Sequence, residues 1–195
     1  VRRHGEAEGL RLAGRFGRAL SPAYIEFASP AAAATDVEKL AATAESDALQ
    51  LSFYTQPLPT TGESVLHFKL YRRDAHIPLS DVLPVMENLG LRVIAEHPNR
   101  IEVDGTTLFL QDFYVEATTG AIDVDARAQA FTEAFDRVWR GDAENDGFNR
   151  LVLGADLDWR QVAMLRGYCK YLLQVGVPFS QAYVEDTLGR YPLLA

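Results

Sequence analysis

A chain of 195 residues, 48% hydrophobic and 24% charged, can bury a sizeable core and has the make-up of a folded globular protein. Its net charge of −8 is uneven, because residues 1–20 hold five arginines and two glutamates, net +3, and the remainder carries −11. An acidic body repels phosphate backbones, which argues against nucleic acid as a partner, and the five arginines read as a solvated helix face.

One cysteine, Cys169, leaves no internal disulfide and no thiol-pair redox site. It lies in an apolar helical pattern, where a buried thiol is expected. No apolar run reaches membrane-spanning length and no signal segment opens the chain, so no membrane partner is expected and a cytoplasmic setting fits. The chain opens at Val1 inside what reads as a helix, as a fragment of something longer would.

Residues 7–20 place Leu10, Ala13, Phe16 and Leu20 at helical spacing, ended by Ser21-Pro22. Residues 29–34 read as a connector, after which Thr35 or Asp36 caps a helix through Val37, Leu40 and Ala41. Residues 48–54 alternate as a strand, with Leu49, Leu51 and Phe53 on one face. Pro57 to Gly62 form a polar connector, and a second strand follows with Leu66, Phe68 and Leu70 facing together.

The helix predicted at 80–89 starts at Ser80 and carries the stripe Leu79, Val82, Leu83, Met86 and Leu89, with Gly90 as its left-handed stop. Pro84 falls within about one turn of its start, where a missing donor costs little. Strands at 91–96 and 107–116 join through Asp104-Gly105, a hairpin turn. Asp123 or Asp125 opens a helix with Val124, Ala128, Phe131, Phe135 and Val138 inward. Beyond Gly141 only helices are expected, one capped by Asp158 and one by Ser180.

From residue 64 to 139 the order strand, helix, strand, strand, helix supplies five elements of a βαββαβ sandwich. The strand 48–54 is expected to fill the vacant sixth place. The predicted fold is therefore α+β, a ferredoxin-like sandwich over 47–140 flanked by helical segments 1–46 and 141–195.

Motifs for bond-making chemistry are missing from this run. Gly9, Gly14 and Gly17 have the wrong spacing for a dinucleotide turn, and neither GxxxxGK[ST] nor GxSxG occurs. The histidines 4, 67, 76 and 97 are scattered without metal-ligand spacing. His67 reads as an exposed strand residue and His76 as a loop residue before helix 80–89. Asp142, Glu144, Asp146 and Gly147 imitate the start of a calcium loop, but Leu153 stands where the bidentate glutamate is required. Those acids are expected to cap and bridge helices instead. Tyr168, Tyr171, Tyr183, Trp159 and Phe179 have the spacing of helix packing, not of base stacking. No catalytic, cofactor-binding or metal-ligating residue is assigned.

Two blocks carry a family resemblance: PLSDVLPVMENLGLRVIAEHPNRI at 78–101, and FDRVWRGDAENDGFNRLVLGADLDWRQVAMLRGYCKYLLQ at 135–174. It continues through VPFSQAYVEDTLGRYPLLA at the end, and the phrase GDAENDGFNRLVL is its most specific part. Together they resemble the non-catalytic N-terminal half of the large bacterial NAD-specific glutamate dehydrogenases, whose sandwich modules look like the ACT type. The resemblance implies a regulatory and oligomerisation segment without a cofactor of its own. It also implies a parent that converts glutamate to 2-oxoglutarate with NAD. The implied partners are the rest of the same polypeptide and other subunits of a homo-oligomer.

The alternative reading is a stand-alone ACT-type sensor for an amino-acid effector, held near the start of helix 80–89 by Asp74, His76, Ile77 and Asp81. A helix start attracts a carboxylate, and Asp81 could meet an ammonium group. The loop departs from typical ligand-binding ACT modules in lacking a glycine, and Pro78 offers no amide.

Overall fold

The computed structural model describes residues 5–46, 48–57 and 62–195. Val1 to His4, Asp47 and most of the 57–62 connector, and with them the expected opening helix residues and His4, lie outside the described residues.

Three helices lead: α1 (Glu6–Phe16), α2 (Pro22–Phe27) and α3 (Pro30–Glu45). Ser21-Pro22 and Ser29-Pro30 do not break the chain; they start helices. Each serine hydroxyl accepts an amide three residues on, and each proline sits at the first helical position, where its missing donor costs nothing. Helix α3 therefore begins ahead of the predicted cap, and Asp36 lies buried within it, not at its end.

Strands β1 (Gln50–Pro57) and β2 (Ser64–Arg73) precede α4 (Leu79–Asn88); β3 (Leu91–Val103), β4 (Thr106–Ala117) and α5 (Val124–Trp139) follow. The sheet is wholly antiparallel in the order β1-β2-β4-β3. Beside β2, β1 takes the place that the last strand of a βαββαβ sandwich would take, with Phe53 opposite Phe68. The chain order is thus ββαββα, and the expected sandwich is present with its sixth strand supplied first. Asp104 and Gly105 both have positive φ, 50° and 75°, as a type I′ hairpin requires, and β3 is longer than predicted, with a bulge between Val93 and Ala95.

Helices α4 and α5 cover one sheet face. Leu66, Phe68, Leu70 and Phe113 of the sheet pack with Val82, Val85, Met86 and Leu89 of α4 and with Phe131 and Phe135 of α5. Phe131 stacks on Phe53 and meets Phe68 edge-on. Two details of α4 differ from expectation. Its cap residue is Pro78 without a side-chain bond, not Ser80, and Val85 replaces Leu83 and the exposed Leu79 on the buried stripe. Gly90 ends the helix at φ 86°, as predicted, and Asp123 caps α5.

The helical lead covers the opposite face. Leu12, Phe16, Tyr24 and Leu40 form a second core with Tyr71, Ile101, Val103, Leu108 and Leu110. Burying a side chain such as Phe16 or Leu40 is worth about 1.5–3 kcal/mol. That cover makes β2 buried on both faces, so His67, expected at the surface, is 3% exposed.

After α5 come a 3-10 turn (Gly147–Arg150), α6 (Leu151–Gly154), α7 (Trp159–Gln174) and α8 (Gln181–Arg190), closed by a second 3-10 turn. Phe148, Leu151, Val152, Val162 and Cys169 extend the first core into this tail. Asp158 and Gln161 form a reciprocal capping box at α7, and Ser180 caps α8, as expected.

Candidate functional site

The most concentrated chemistry lies under the helical lead. On the covered face of β2, Lys69 and His67 stand in successive rungs: Ser52–Lys69–Asp112–His97 and Tyr54–His67–Tyr114. Helix α3 lowers Asp36 onto this face. Asp36, 1% exposed, accepts from Tyr24 Oη at 2.5 Å, Tyr71 Oη at 2.6 Å and Lys69 Nζ at 2.7 Å. Lys69 is also buried and lies 3.4 Å from Asp112, whose other oxygen is 2.9 Å from His67 Nδ1.

Burial alone would lower the Lys69 pKa, but Asp112 and Asp36 outweigh it and hold the ammonium charged well above its usual range. Burial, and then the Asp36 charge, push Tyr24 and Tyr71 up, so both remain neutral donors. Buried charges are retained because each has a partner.

Beside this cluster, between α2 and the sheet, is a cavity of about 170 Å³ reached by Lys69, His67, Asp112 and Glu96. Five rings run along it: Tyr54 stacks on His67, His67 meets Tyr114, Tyr114 meets His97, and His97 lies near Phe27. The Tyr54 hydroxyl is buried there beside the Lys69 ammonium, and burial pushes the phenol's pKa up.

The loop before α4 is differently built. Asp74 N donates to Thr107 O at 2.9 Å and Ala75 N to Arg73 O at 2.8 Å. Ile77 is fully buried; its amide donates to Gln111 Oε1 and its carbonyl accepts from Gln111 Nε2. With Pro78 lacking a donor, these bonds occupy much of the backbone that a ligand would use. His76 faces Glu96 at 3.4 Å, while Asp81 is exposed and accepts from Ser80. The four predicted effector residues are thus neighbours along the chain, with their side chains spread between core and solvent.

The acids of the tail cap and bridge helices. Asp146 caps the 3-10 turn and holds Arg166, 4% exposed, at 2.6 and 2.8 Å; Glu144 pairs with Lys170 and Asp142 with Arg137. No group of three or more potential metal ligands occurs among the described residues.

Helix α7 has an inward stripe and an outward one. Val162, Arg166 and Cys169 face inward, and burial raises the Cys169 thiol. Met164, Tyr168, Tyr171 and Val175, at spacings of four, three and four, face out and are 56–61% exposed. Phe179 and Tyr183 stack on each other and are also exposed. Of the rings expected in helix packing, Trp159 packs against the core and bonds Glu133 of α5, whereas Tyr168, Tyr171, Phe179 and Tyr183 are exposed.

Sequence reasoning missed the polar cluster because alternate polar residues on a strand normally mean solvent. The available signal was the content of the alternation: Ser52 and Tyr54, His67, Lys69 and Tyr71, and Asp112 and Tyr114 are rich in groups that need partners.

A four-stranded antiparallel sheet with two helices on one face and this strand order defines an ACT-type module, here clasped by helices before and after it. Family models match in succession: glutamate dehydrogenase helical motif 2 over residues 1–42, its ACT3 domain over 48–127 and its helical motif 3 over 143–195. Proteins called NAD-specific glutamate dehydrogenase are 43% identical over 189 residues in Halomonas elongata, 40% over 193 in Pseudomonas aeruginosa and 34% over 196 in Mycobacterium tuberculosis. These alignments cover 96%, 98% and 96% of the chain, which spans 12% of the length of each relative. The chain belongs to the NAD-specific glutamate dehydrogenase family, matching its helical motif 2, ACT3 domain and helical motif 3 in succession.

Proposed function

We propose that this chain is a non-catalytic regulatory and assembly segment of a large, cytoplasmic NAD-specific glutamate dehydrogenase. The parent's reaction would be oxidative deamination of glutamate to 2-oxoglutarate and ammonia. Three units divide the labour: a helical lead at 1–46, the ACT-like module at 47–140 and a helical tail at 141–195. The observation that carries the reading is the outward stripe of α7 with the exposed, stacked rings of Phe179 and Tyr183. A cluster of large exposed apolar side chains of this kind marks an interaction site, and the rest of the same polypeptide or a neighbouring subunit is what covers it.

The buried Asp36 supports the reading, since its bonds to Lys69 and Tyr71 tie α3 of the lead to β2 of the sheet. Among the described residues, no helix is long and apolar enough to cross a membrane. The test is an assay of the purified chain with NAD and glutamate, together with calorimetry against NAD. No NADH formation and no NAD binding are expected; either one at micromolar affinity overturns the proposal.

A further inference from the structure

The antiparallel sheet ends in two edges that are built differently. At one edge β3 carries a bulge between Val93 and Ala95, a proline at Pro98, and the charged side chains of Arg92, Glu96, Arg100 and Glu102. Bulges, prolines and charges are the devices that keep a sheet edge from pairing further. At the other edge β1 reads QLSFYTQP, in unbroken register with β2 over all 8 residues. It holds no ionisable side chain except the Tyr54 phenol and no proline before its last position. Among the described residues it pairs with β2 alone, so the amides and carbonyls of alternate residues face outward with no strand to meet them.

A groove runs along this undefended edge. Its main part, about 630 Å³, lies between α3 and α5, and a part of about 380 Å³ continues it past Leu51, Gln129 and Thr132 to Leu49. The helix walls present small side chains, Ala31 and Ala32 on one side and Ala128 and Thr132 on the other, so backbone can approach the strand between them. A strand of this length spans on the order of 27 Å. An occupant that matches such a length with backbone hydrogen bonds is another strand and not a small molecule.

Charge selects which strand. The chain is net −8, so two copies repel over most of their surfaces. The β1 edge carries none of that charge. Beside its Gln50 end Lys39 and Arg140 balance Glu133 and Asp136, and at its other end Gln56 meets only the Ser29 hydroxyl and the Phe27 carbonyl. An antiparallel crossing about a two-fold axis sets each balanced end against the partner's uncharged end. With like faces aligned, Phe53 meets its own counterpart, Ser52 meets Tyr54, Leu51 meets Thr55 and Gln50 meets Gln56, so no like charges oppose each other.

We propose that two copies of this chain pair through β1, antiparallel and about a two-fold axis, joining their sheets edge to edge. Such an interface is isologous and closes at the dimer. The inference rests on the assembly reading above and extends it to a second surface, the sheet edge instead of α7; the test separates the two.

The 195-residue chain is followed by sedimentation equilibrium across the micromolar range and by amide hydrogen exchange of β1 at low and high concentration. Dimers that form with concentration are expected, with alternate β1 amides exchanging more slowly as they form. Thr55→Lys puts a charge on an exposed edge position opposite Leu51 of the second copy, where it would be desolvated. It should abolish both effects with the circular dichroism spectrum unchanged. Ile94→Lys, the same change at the exposed bulge of the other edge, should leave both intact. A chain monomeric at every concentration overturns the proposal, as do dimers without slowed β1 exchange, which need no variant to detect. A dimer that survives Thr55→Lys and is lost with Tyr168→Ser and Tyr171→Ser meets through α7, which refutes β1 pairing and keeps the assembly reading. Protection of β1 in the full-length enzyme with the 195-residue chain monomeric gives the edge to another part of the polypeptide, and the second copy is then refuted.

Discussion

Replacing Lys69 by methionine removes the cation from a site where its ammonium is shared by two carboxylates while keeping a chain of similar length. Asp36 is 1% exposed and keeps only its two phenol donors; Asp112 keeps only His67. Removing one partner of a buried ion pair costs about 3–5 kcal/mol. Against a total stability on the order of 5–15 kcal/mol, that is a large share. Asp36→Leu should cost as much, because Lys69 is left with Asp112 at 3.4 Å and the Tyr24 hydroxyl loses its acceptor, while Tyr71 keeps only Ser52 Oγ at 3.2 Å. The double variant should lose less than the sum, since it removes both charges of the Asp36–Lys69 pair, yet it stays below wild type because the orphaned Tyr24 phenol costs about 1–3 kcal/mol. Urea unfolding followed by tryptophan fluorescence gives all four corners of the cycle. A loss below about 1 kcal/mol for Lys69→Met, the level of a surface pair, would refute the account of a buried clamp between lead and sheet.

Met86→Ala should cost about 2–5 kcal/mol by opening a cavity under α4, and Leu83→Ala less, since Leu83 is only half-buried; equal denaturant midpoints would contradict the packing. Gly90→Ala should cost about 1–2 kcal/mol by forcing a side chain into the left-handed region at φ 86°, read as a lower melting temperature. Lys69, Tyr24 and Tyr71 all have raised pKa values, so the folded state holds these protons more tightly than the unfolded one. Their contribution is complete below the unfolded values near pH 10 and is lost as the pH rises beyond them. Stability measured by denaturation should therefore fall above about pH 10, and Tyr24→Phe should make that fall shallower.

Most of the sandwich was legible because its cues are local. The alternation of Leu66, Phe68 and Leu70, the Asp104-Gly105 turn, the Gly90 stop and the caps Asp123, Asp158 and Ser180 each act within a few residues, and each element appears where they put it. The second sheet face was not legible. His67 and Lys69 are buried by helices of the lead, and the carboxylate that pairs with Lys69 comes from Asp36, 33 residues away. Nothing within β2 announces that cover. Ser29-Pro30 misled because the same dipeptide that punctuates a loop also starts a helix, and only the residues after it decide. On α7 the periodicity was visible, but the buried stripe includes Arg166 while an apolar stripe faces out, and spacing alone does not tell which one this chain buries.

The claim that matters most is that the outer face of the tail is covered in the complete dehydrogenase. Hydroxyl-radical footprinting of Tyr168, Tyr171 and Tyr183, compared between the 195-residue chain and the full-length enzyme containing it, measures this directly. These rings are 55–61% exposed in the chain and should be modified readily there but protected in the full-length enzyme. Equal modification in both would contradict an assembly role for this face.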